Sequence, residues 1–74
     1  MKCVVKLIWD VESKTWYTQT DDIPGLALGA PFFDELVERV RLAAPEMLEL
    51  NCGYTGDVRL IFKTKRTEIL AAAQ

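Results

Sequence analysis

The segment KCVVKLIW, residues 2–9, is apolar on both faces of an extended strand. Val5 and Leu7 alternate with Val4 and Ile8, so a strand with a two-residue period presents apolar side chains in both directions. Such a pattern is typical of strands that are covered on both sides. The segment therefore predicts the central strand of a sheet.

Three further strands follow from the rest of the chain. Residues 10–14, DVESK, have the length of a hairpin loop, and residues 15–20, TWYTQT, are rich in β-branched and aromatic residues. They predict an antiparallel hairpin with the first strand. Residues 26–30, LALGA, are long enough for a short third strand, and residues 57–66, DVRLIFKTKR, predict a fourth strand with one basic face.

One helix is predicted after the third strand. Pro31 is placed as its first residue, where the missing N–H is tolerated. Pro45 lies inside the pattern and predicts a kink, or two short helices that meet near Ala44. The apolar positions repeat at helical spacing: Phe33, Leu36, Val37, Val40, Ala44, Met47 and Leu48.

The order β-β-β-α-β predicts an α+β fold. We expect a single mixed four-stranded sheet of order 3-2-1-4, with one kinked helix on one face. Residues 1–66 form the domain and residues 67–74 a C-terminal tail, in which a helical turn could start at Thr67. One helix covers one face only, so the apolar residues of the other face need the tail or a second subunit to cover them; these are some of Val4, Ile8, Tyr17 and Ile61.

The motif DDIPGL, residues 21–26, is interpreted as a structural turn. Neighbouring residues on an extended chain point to opposite faces, so Asp21 and Asp22 do not form a catalytic dyad. Asp22 is expected to bond its own backbone, Pro24 ends the strand, and Gly25 supplies the positive φ of a type II turn. The predicted turn motif comprises Asp22, Pro24, Gly25 and Leu26.

No catalytic residue, metal ligand or cofactor site is predicted. The chain contains no histidine, which removes the commonest general base and metal ligand. Two-metal hydrolysis by Asp10 with Glu35 or Glu38 is an alternative, but the end of the last strand carries bases where another carboxylate is needed. We therefore expect a protein that is not an enzyme.

Charge is distributed unevenly along the chain. Residues 9–50 carry nine acids and three bases, whereas residues 59–66 carry four bases and no acid. The acidic stretch suits a basic partner protein, because complementary charge speeds the encounter. The candidate partner face comprises Asp21, Asp22, Glu35 and Glu38, for which an ordinary solvated surface is the alternative.

Nucleic-acid binding is a further alternative. Trp9, Trp16, Tyr17 and Tyr54 could stack on bases beside the basic last strand. However, tryptophans on strands more often belong to a core, and the net charge of −2 repels phosphate.

The segment at residues 1–10 is too short to span a bilayer and has no cleavage site. We expect a cytoplasmic protein without a membrane partner, with Cys3 and Cys52 as free thiols.

The chain resembles the small bacterial domains of unknown function that are grouped with the HicB-type antitoxins. The resemblance runs from about Val4 to Phe62. Its most specific part is the strand that ends in Trp9 and Asp10, followed by Trp16 and then DDIPGL, which matches the HicB-like pattern of an aromatic residue and then PDLPG. A helix that ends in PEMLELN follows.

The resemblance implies a partial RNase H-like fold and an antitoxin role. HicB-type antitoxins bind and mask a small basic toxin that cleaves mRNA, and most append a DNA-binding module. Eight residues follow Arg66 here, too few for such a module, so we expect no specific DNA binding. The sequence thus favours a non-enzymatic interaction domain that neutralises such a toxin; the alternative is a stand-alone structural or adaptor homodimer without a toxin.

Self-association is expected in either case. The fourth strand lies at the edge of the predicted sheet, and unpaired edges invite another chain. The candidate residues are Ile61, Lys63 and Lys65. We expect a homodimer that uses the outer sheet face or the last strand, with residues 67–74 at or near the contact.

Overall fold

The computed structural model describes residues 1–72. The elements are β1 (Lys2–Asp10), β2 (Thr15–Gln19), β3 (Gly29–Ala30), α1 (Phe33–Cys52) and β4 (Arg59–Lys65). They form one sheet of order β3-β2-β1-β4, in which β1 is antiparallel to β2 and parallel to β4. The predicted α+β fold, the sheet order and the central position of the first strand are confirmed.

The two faces of the sheet differ because only one is covered by α1. Cys3, Val5 and Leu7 of β1 are buried beneath the helix. Trp16 of β2 lies on the same side, where its ring meets the edge of Phe33 with the centroids 5.2 Å apart. Alternate side chains point to the other side, which we call the open face.

The start of α1 differs from the prediction. Pro31 precedes the helix, which begins at Phe33 after an extended Phe32 with φ −116° and ψ 139°. No side chain caps this end, and the N–H of Leu36 reaches the carbonyl of Phe32 at 3.1 Å. Asp34 and Glu35 lie in the first turn, where carboxylates interact favourably with the helix dipole.

Pro45 does not divide α1, so the prediction of two short helices is wrong. A proline inside a helix removes one backbone hydrogen bond and crowds the carbonyl four residues earlier. Here Pro45 lies on the exposed side of the helix, and so does Arg41, whose carbonyl loses its partner. Water can therefore satisfy this carbonyl, while the buried residues Val40 and Ala44 continue the apolar side through the proline.

Gly53 ends α1 in the left-handed conformation, with φ 67°. Its N–H donates to the carbonyl of Glu49 at 3.0 Å, and the N–H of Tyr54 donates to that of Leu48 at 3.1 Å. The bond from Gly53 to Glu49 is that of the αL motif, which satisfies a carbonyl that the helix would otherwise leave free. The Tyr54 hydroxyl then donates to the carbonyl of Asp57 at 2.6 Å, and the chain turns into β4.

β4 has seven residues rather than the ten predicted, and it forms one edge of the sheet. Leu60 and Phe62 pack against the core but stay half-buried, as does Ile61 on the open face. Thr67 to Ala72 form no regular element, so the helical turn considered from Thr67 is absent, and residues 73–74 lie outside the described part. Within residues 1–72, no helix has the apolar length that crossing a membrane requires.

Candidate functional site

The DDIPGL motif is attached to β1. β2 ends at Gln19, and the next residues continue the pairing with side chains instead of backbone groups. The Thr20 hydroxyl donates to the carbonyl of Val4 at 2.7 Å, and the Val4 N–H donates to the Asp22 carboxylate at 2.7 Å. Asp22 therefore bonds the first strand and not its own backbone. Its own N–H donates to the Thr20 hydroxyl oxygen at 3.1 Å.

The four residues after Asp22 make a turn that is held against the end of α1. The N–H of Leu26 donates to the carbonyl of Ile23 at 3.2 Å, and Gly25 has a φ of 84°, which fits a type II turn. The side-chain amide of Asn51 donates to the carbonyl of Pro24 at 2.8 Å. The motif thus connects β1, the turn and the helix. Its Asp22 carboxylate has a structural role, because it accepts a hydrogen bond from β1.

A polar hollow of about 330 Å³ lies where β2 leaves β1. Its walls include Lys6 beside the carboxylates of Asp21 and Asp22. Since Asp22 is already bonded to the Val4 N–H, Asp21 is the carboxylate of this pair that points at no protein donor among the described residues. The hollow is therefore a small polar recess lined by charged and polar side chains.

The other two members of the candidate partner face lie elsewhere. Glu35 and Glu38 are in the first two turns of α1, whereas the Asp21–Asp22 corner leads into the turn that contacts Asn51 in the last turn. Thirteen residues separate Glu38 from Asn51, about 20 Å along a helix. The four predicted residues therefore do not form one continuous patch.

A different set of residues forms a continuous acidic surface on α1. At 100° per residue, these positions fall within about a quarter of the helix circumference, opposite the buried residues. The ends of the set are about 21 Å apart along the axis. We call it the acidic stripe: Glu35, Glu38, Leu42, Glu46 and Glu49. Sequence reasoning missed Glu46 and Glu49 as members, although the helical spacing of the acids could have identified them.

The acidic stripe combines charge with an exposed apolar centre. Leu42 is 68% exposed and lies between the two pairs of glutamates. A groove of about 300 Å³ beside it is lined by Leu28, Arg39, Leu42, Ala43 and Glu46. Exposed apolar residues with a polar rim are the usual anatomy of a protein-binding surface. The stripe has this composition.

Arginines neutralise only the N-terminal half of the acidic stripe. Arg39 lies 2.8 Å from the Glu35 carboxylate, and Arg41 lies 2.9 Å from that of Glu38. The last turn of the helix contains no base, so Glu46 and Glu49 lie near the negative end of the helix dipole without compensation there. A cationic partner would relieve this accumulation of negative charge.

The open face of the sheet has the opposite charge. Lys2 pairs with Arg59 across β1 and β4, and Lys6 pairs with Lys63. Val4 opposite Ile61 makes an apolar row between these basic rows. Of the predicted self-association residues, Ile61, Lys63 and Lys65 all lie on this face. The molecule therefore has an acidic side on α1 and a basic side on the sheet.

The aromatic residues considered for base stacking do not share a surface. Trp9 and Trp16 lie on the helix side with their ring centroids 5.3 Å apart, and Trp16 is buried. Tyr54 bonds the carbonyl of Asp57 and is close to the N-terminal amine. Only Tyr17 lies on the open face, where it is 42% exposed.

The carboxylate considered for metal binding is also bonded within its own loop. Asp10 accepts hydrogen bonds from the Ser13 hydroxyl at 2.9 Å and from the Glu12 N–H at 3.1 Å. The hydrogen bond from Ser13 is the main cause that lowers the pKa of Asp10 below its ordinary value, and the bond from Glu12 lowers it further. Among the described residues, no three acidic or cysteine side chains cluster in a way that could hold a metal ion.

The two cysteines lie in different environments and are not paired. Cys3 is buried beneath α1, and Cys52 is exposed in the last turn of the helix. Burial is the main cause that raises the pKa of the Cys3 thiol, and the nearby Asp22 charge raises it further. A raised pKa keeps the thiol protonated, so Cys3 behaves as a small apolar core residue.

These features define a small α+β domain with two surfaces of opposite charge. A family model described as a domain of unknown function, DUF1902, matches residues 2–72, and the chain belongs to that family. The chain is also similar to the solved structure of a hypothetical protein, TTHA1013, from the extremely thermophilic bacterium Thermus thermophilus. That match has 30% sequence identity, a TM-score of 0.73, and coverage of 97% of this chain and 100% of the other. Proteins of curated function give no significant match.

Proposed function

We propose that this protein is a non-enzymatic interaction domain similar to HicB-type antitoxins, which neutralises a small basic mRNA-cleaving toxin by direct binding. The observation that carries the proposal is the acidic stripe on α1. The similarity of residues 4–62 to the HicB-like pattern supports the same role and suggests the class of partner. A basic ribonuclease must attract RNA with a positive surface, and an acidic helix competes for that surface.

The stripe can raise both the association rate and the affinity of such a partner. The glutamates of the stripe that no arginine neutralises provide long-range attraction, which raises the association rate and weakens as salt is added. Leu42 provides an apolar anchor at the centre, where the burial of one leucine contributes about 1.5 to 3 kcal/mol. Among the described residues Glu46 and Glu49 form no ion pair, so they should contribute more to binding than Glu35 and Glu38.

The test uses the product of a neighbouring reading frame that encodes a small basic protein containing histidine. This product is expressed alone and together with the chain, and mRNA integrity and complex formation are measured. We expect mRNA cleavage to stop in co-expression and a stable complex to co-purify. Continued cleavage, with no complex at micromolar concentration, would contradict the proposal.

Substitutions test whether binding depends on the acidic stripe or on the overall negative charge of the chain. Glu46→Gln with Glu49→Gln should weaken the complex at least about tenfold, since each lost charge pair at an interface contributes on the order of 1 kcal/mol. The matched control is Glu12→Gln, an exposed acid in the loop between β1 and β2. Equal affinity for the stripe variant and the control would assign binding to another surface.

A stand-alone structural or adaptor homodimer is the second candidate function. It is favoured by the basic open face, which no element among the described residues covers, and by the unpaired outer edge of β4. In this case the chain would associate with itself, and no toxin partner would exist. Rescue of mRNA by co-expression separates the two functions, because an adaptor would leave the cleavage unchanged.

A further inference from the structure

The outer edge of β4 is unpaired along its seven residues. β1 occupies one side of β4, and no described element pairs with the other side. Leu60 and Phe62 are half-buried on the helix side of this edge, and Ile61 is half-buried on the open face. An added strand would therefore gain backbone hydrogen bonds and apolar contacts on both sides of the sheet.

Residues 67–72 form an arm that leaves the domain beyond β4. Ile69 and Leu70 in the arm are 92% and 88% exposed, more than any other large apolar residues described. The molecule measures 57 × 18 × 17 Å, whereas its twenty-residue helix accounts for about 30 Å of that length. The arm therefore projects from the domain and leaves its two large apolar side chains in water.

Arg66 fixes the direction in which the arm leaves. Its guanidinium lies over the ring of Trp9, 4.6 Å from the centroid, which places it on the helix side like Phe62 and Thr64. It also lies 2.7 Å from the Glu68 carboxylate. Side chains two residues apart share one side of an extended chain, so this contact indicates that the strand direction continues into the arm.

The charges on β4 oppose dimers in which two copies of β4 alone pair about a two-fold axis. Such an axis is perpendicular to the sheet and keeps each side chain on its own face, so open-face residues meet open-face residues. With Phe62 at the axis, Arg59 meets Lys65. With Ile61 at the axis, Arg59 meets Lys63, and with Lys63 at the axis this lysine meets itself. Each register that pairs five or more residues of β4 therefore places like charges opposite each other, which is destabilising.

We propose that the arm of a second copy occupies the edge of β4, in a reciprocal two-fold exchange centred on Arg66. In this register the arm residues 67–72 lie antiparallel to residues 65–60 of the other copy. On the helix side, Phe62 meets Leu70 of the second copy and Leu60 meets its Ala72. On the open face, Ile61 meets Ala71 and the Lys63 stem meets Ile69. The inference needs only this chain and rests on neither proposed function.

The exchange reduces the charge conflict of the edge. The arm brings Glu68 and no base, so the lysines of β4 face threonine and aliphatic residues instead of other bases. The two Arg66 residues meet at the axis, but each is already bonded to a Glu68 carboxylate and stacked on Trp9. A two-fold exchange also closes on itself, so the edge is consumed without growth into fibres.

The first measurement is the mass of the full chain by sedimentation equilibrium at micromolar concentration. We expect a dimer, and Leu70→Lys should raise its dissociation constant about 100-fold or more because both copies lose a buried leucine. The matched control is Leu50→Lys, which changes a leucine that is 78% exposed on α1 and should leave the dimer intact. A monomeric chain, or a dimer that Leu70→Lys does not weaken, would overturn the proposal.

Paired cysteines test the register directly. In a Cys52→Ser background, Lys63→Cys with Ile69→Cys places two cysteines opposite each other between copies and should give a disulfide-linked dimer on mild oxidation. The control pair, Lys63→Cys with Leu70→Cys, places them on opposite faces of the sheet and should give much less. Equal cross-linking by both pairs would contradict the register, and cross-linking only within one chain would contradict the exchange.

Discussion

The backbone N–H of Val4 donates to the carboxylate of Asp22 at 2.7 Å, across 18 residues of sequence. With the Thr20 hydroxyl bonded to the Val4 carbonyl, two side chains take the place of a paired strand at this residue. The central strand therefore keeps its hydrogen bonds where β2 has already ended. The paired acids of the DDIPGL motif suggest catalysis, but the Asp22 carboxylate acts as a structural hydrogen-bond acceptor.

Asp22→Ala should lower the free energy of unfolding by about 1 to 2 kcal/mol, because the Val4 N–H loses a charged acceptor. Asp21→Ala is the matched control and should change stability by less than about 0.5 kcal/mol, since it removes no hydrogen bond. Urea denaturation, monitored by tryptophan fluorescence, measures the free energy of unfolding of both variants. Equal effects would mean that the Asp22 bond contributes nothing specific.

Gly25→Ala should destabilise the protein more than Gly53→Ala. Both glycines have positive φ, 84° and 67°, so each substitution carries a backbone cost of about 1 kcal/mol. A Cβ at Gly25 would also lie 2.9 Å from the Asn51 amide nitrogen, whereas none at Gly53 meets an atom within 4 Å. We expect a total of about 2 kcal/mol or more for Gly25→Ala, measured by thermal unfolding. The reverse order would show that Asn51 moves aside freely.

Glu49→Lys should stabilise the isolated protein while it weakens binding to a basic partner. A cation in the last turn interacts favourably with the helix dipole, by about 0.3 to 1 kcal/mol at an exposed site. The helix has no base there, so the substitution supplies the missing charge. Thermal unfolding at low salt tests the gain, with Glu12→Lys in the loop as the control. A loss of stability would argue against uncompensated charge at this helix end.

Ser13→Ala should raise the pKa of Asp10 towards its ordinary value of 3.8, because the Ser13 hydroxyl is the main cause of the lowered pKa. A carboxyl whose pKa is lower in the folded state stabilises the fold above its unfolded pKa. That contribution is lost as pH falls through the folded pKa. The variant should therefore lose stability at neutral pH but not in acid below both pKa values. Carboxyl NMR titration and unfolding at the two pH values test this, and an unchanged Asp10 pKa would contradict it.

The sequence predicts the sheet well because its strands carry strong local patterns. The apolar residues on both faces of the first strand give its central position, and the alternation from Leu60 to Lys65 correctly separates the two faces of β4. The contact between Asp22 and Val4 has no such pattern, because the two residues are distant in sequence and either could have bonded locally. Similarly, the intact helix at Pro45 depends on that residue lying on the exposed side, which three-dimensional packing decides.

The acidic stripe is only partly predictable from the sequence, because its membership depends on helix geometry. Glu35 and Glu38 were identified from their charge, but grouping them with Asp21 and Asp22 followed sequence position rather than helix geometry. Spacing of three and four residues joins them instead to Glu46 and Glu49. The charge of the open face depends on the pairing of Lys2 with Arg59 and of Lys6 with Lys63, which requires the parallel register of β1 and β4.

The pairing of β1 with β4 also has a consequence for biosynthesis. The central strand is made first, and its parallel neighbour, Arg59–Lys65, is made after nearly all of the remaining described residues. Contacts between such distant segments form slowly, since a long loop must close first. While the ribosome is still adding residues up to Lys65, one edge of β1 is open and the sheet is incomplete. A nascent chain of this protein therefore stays exposed to aggregation, or to chaperones, until its last strand emerges from the exit tunnel.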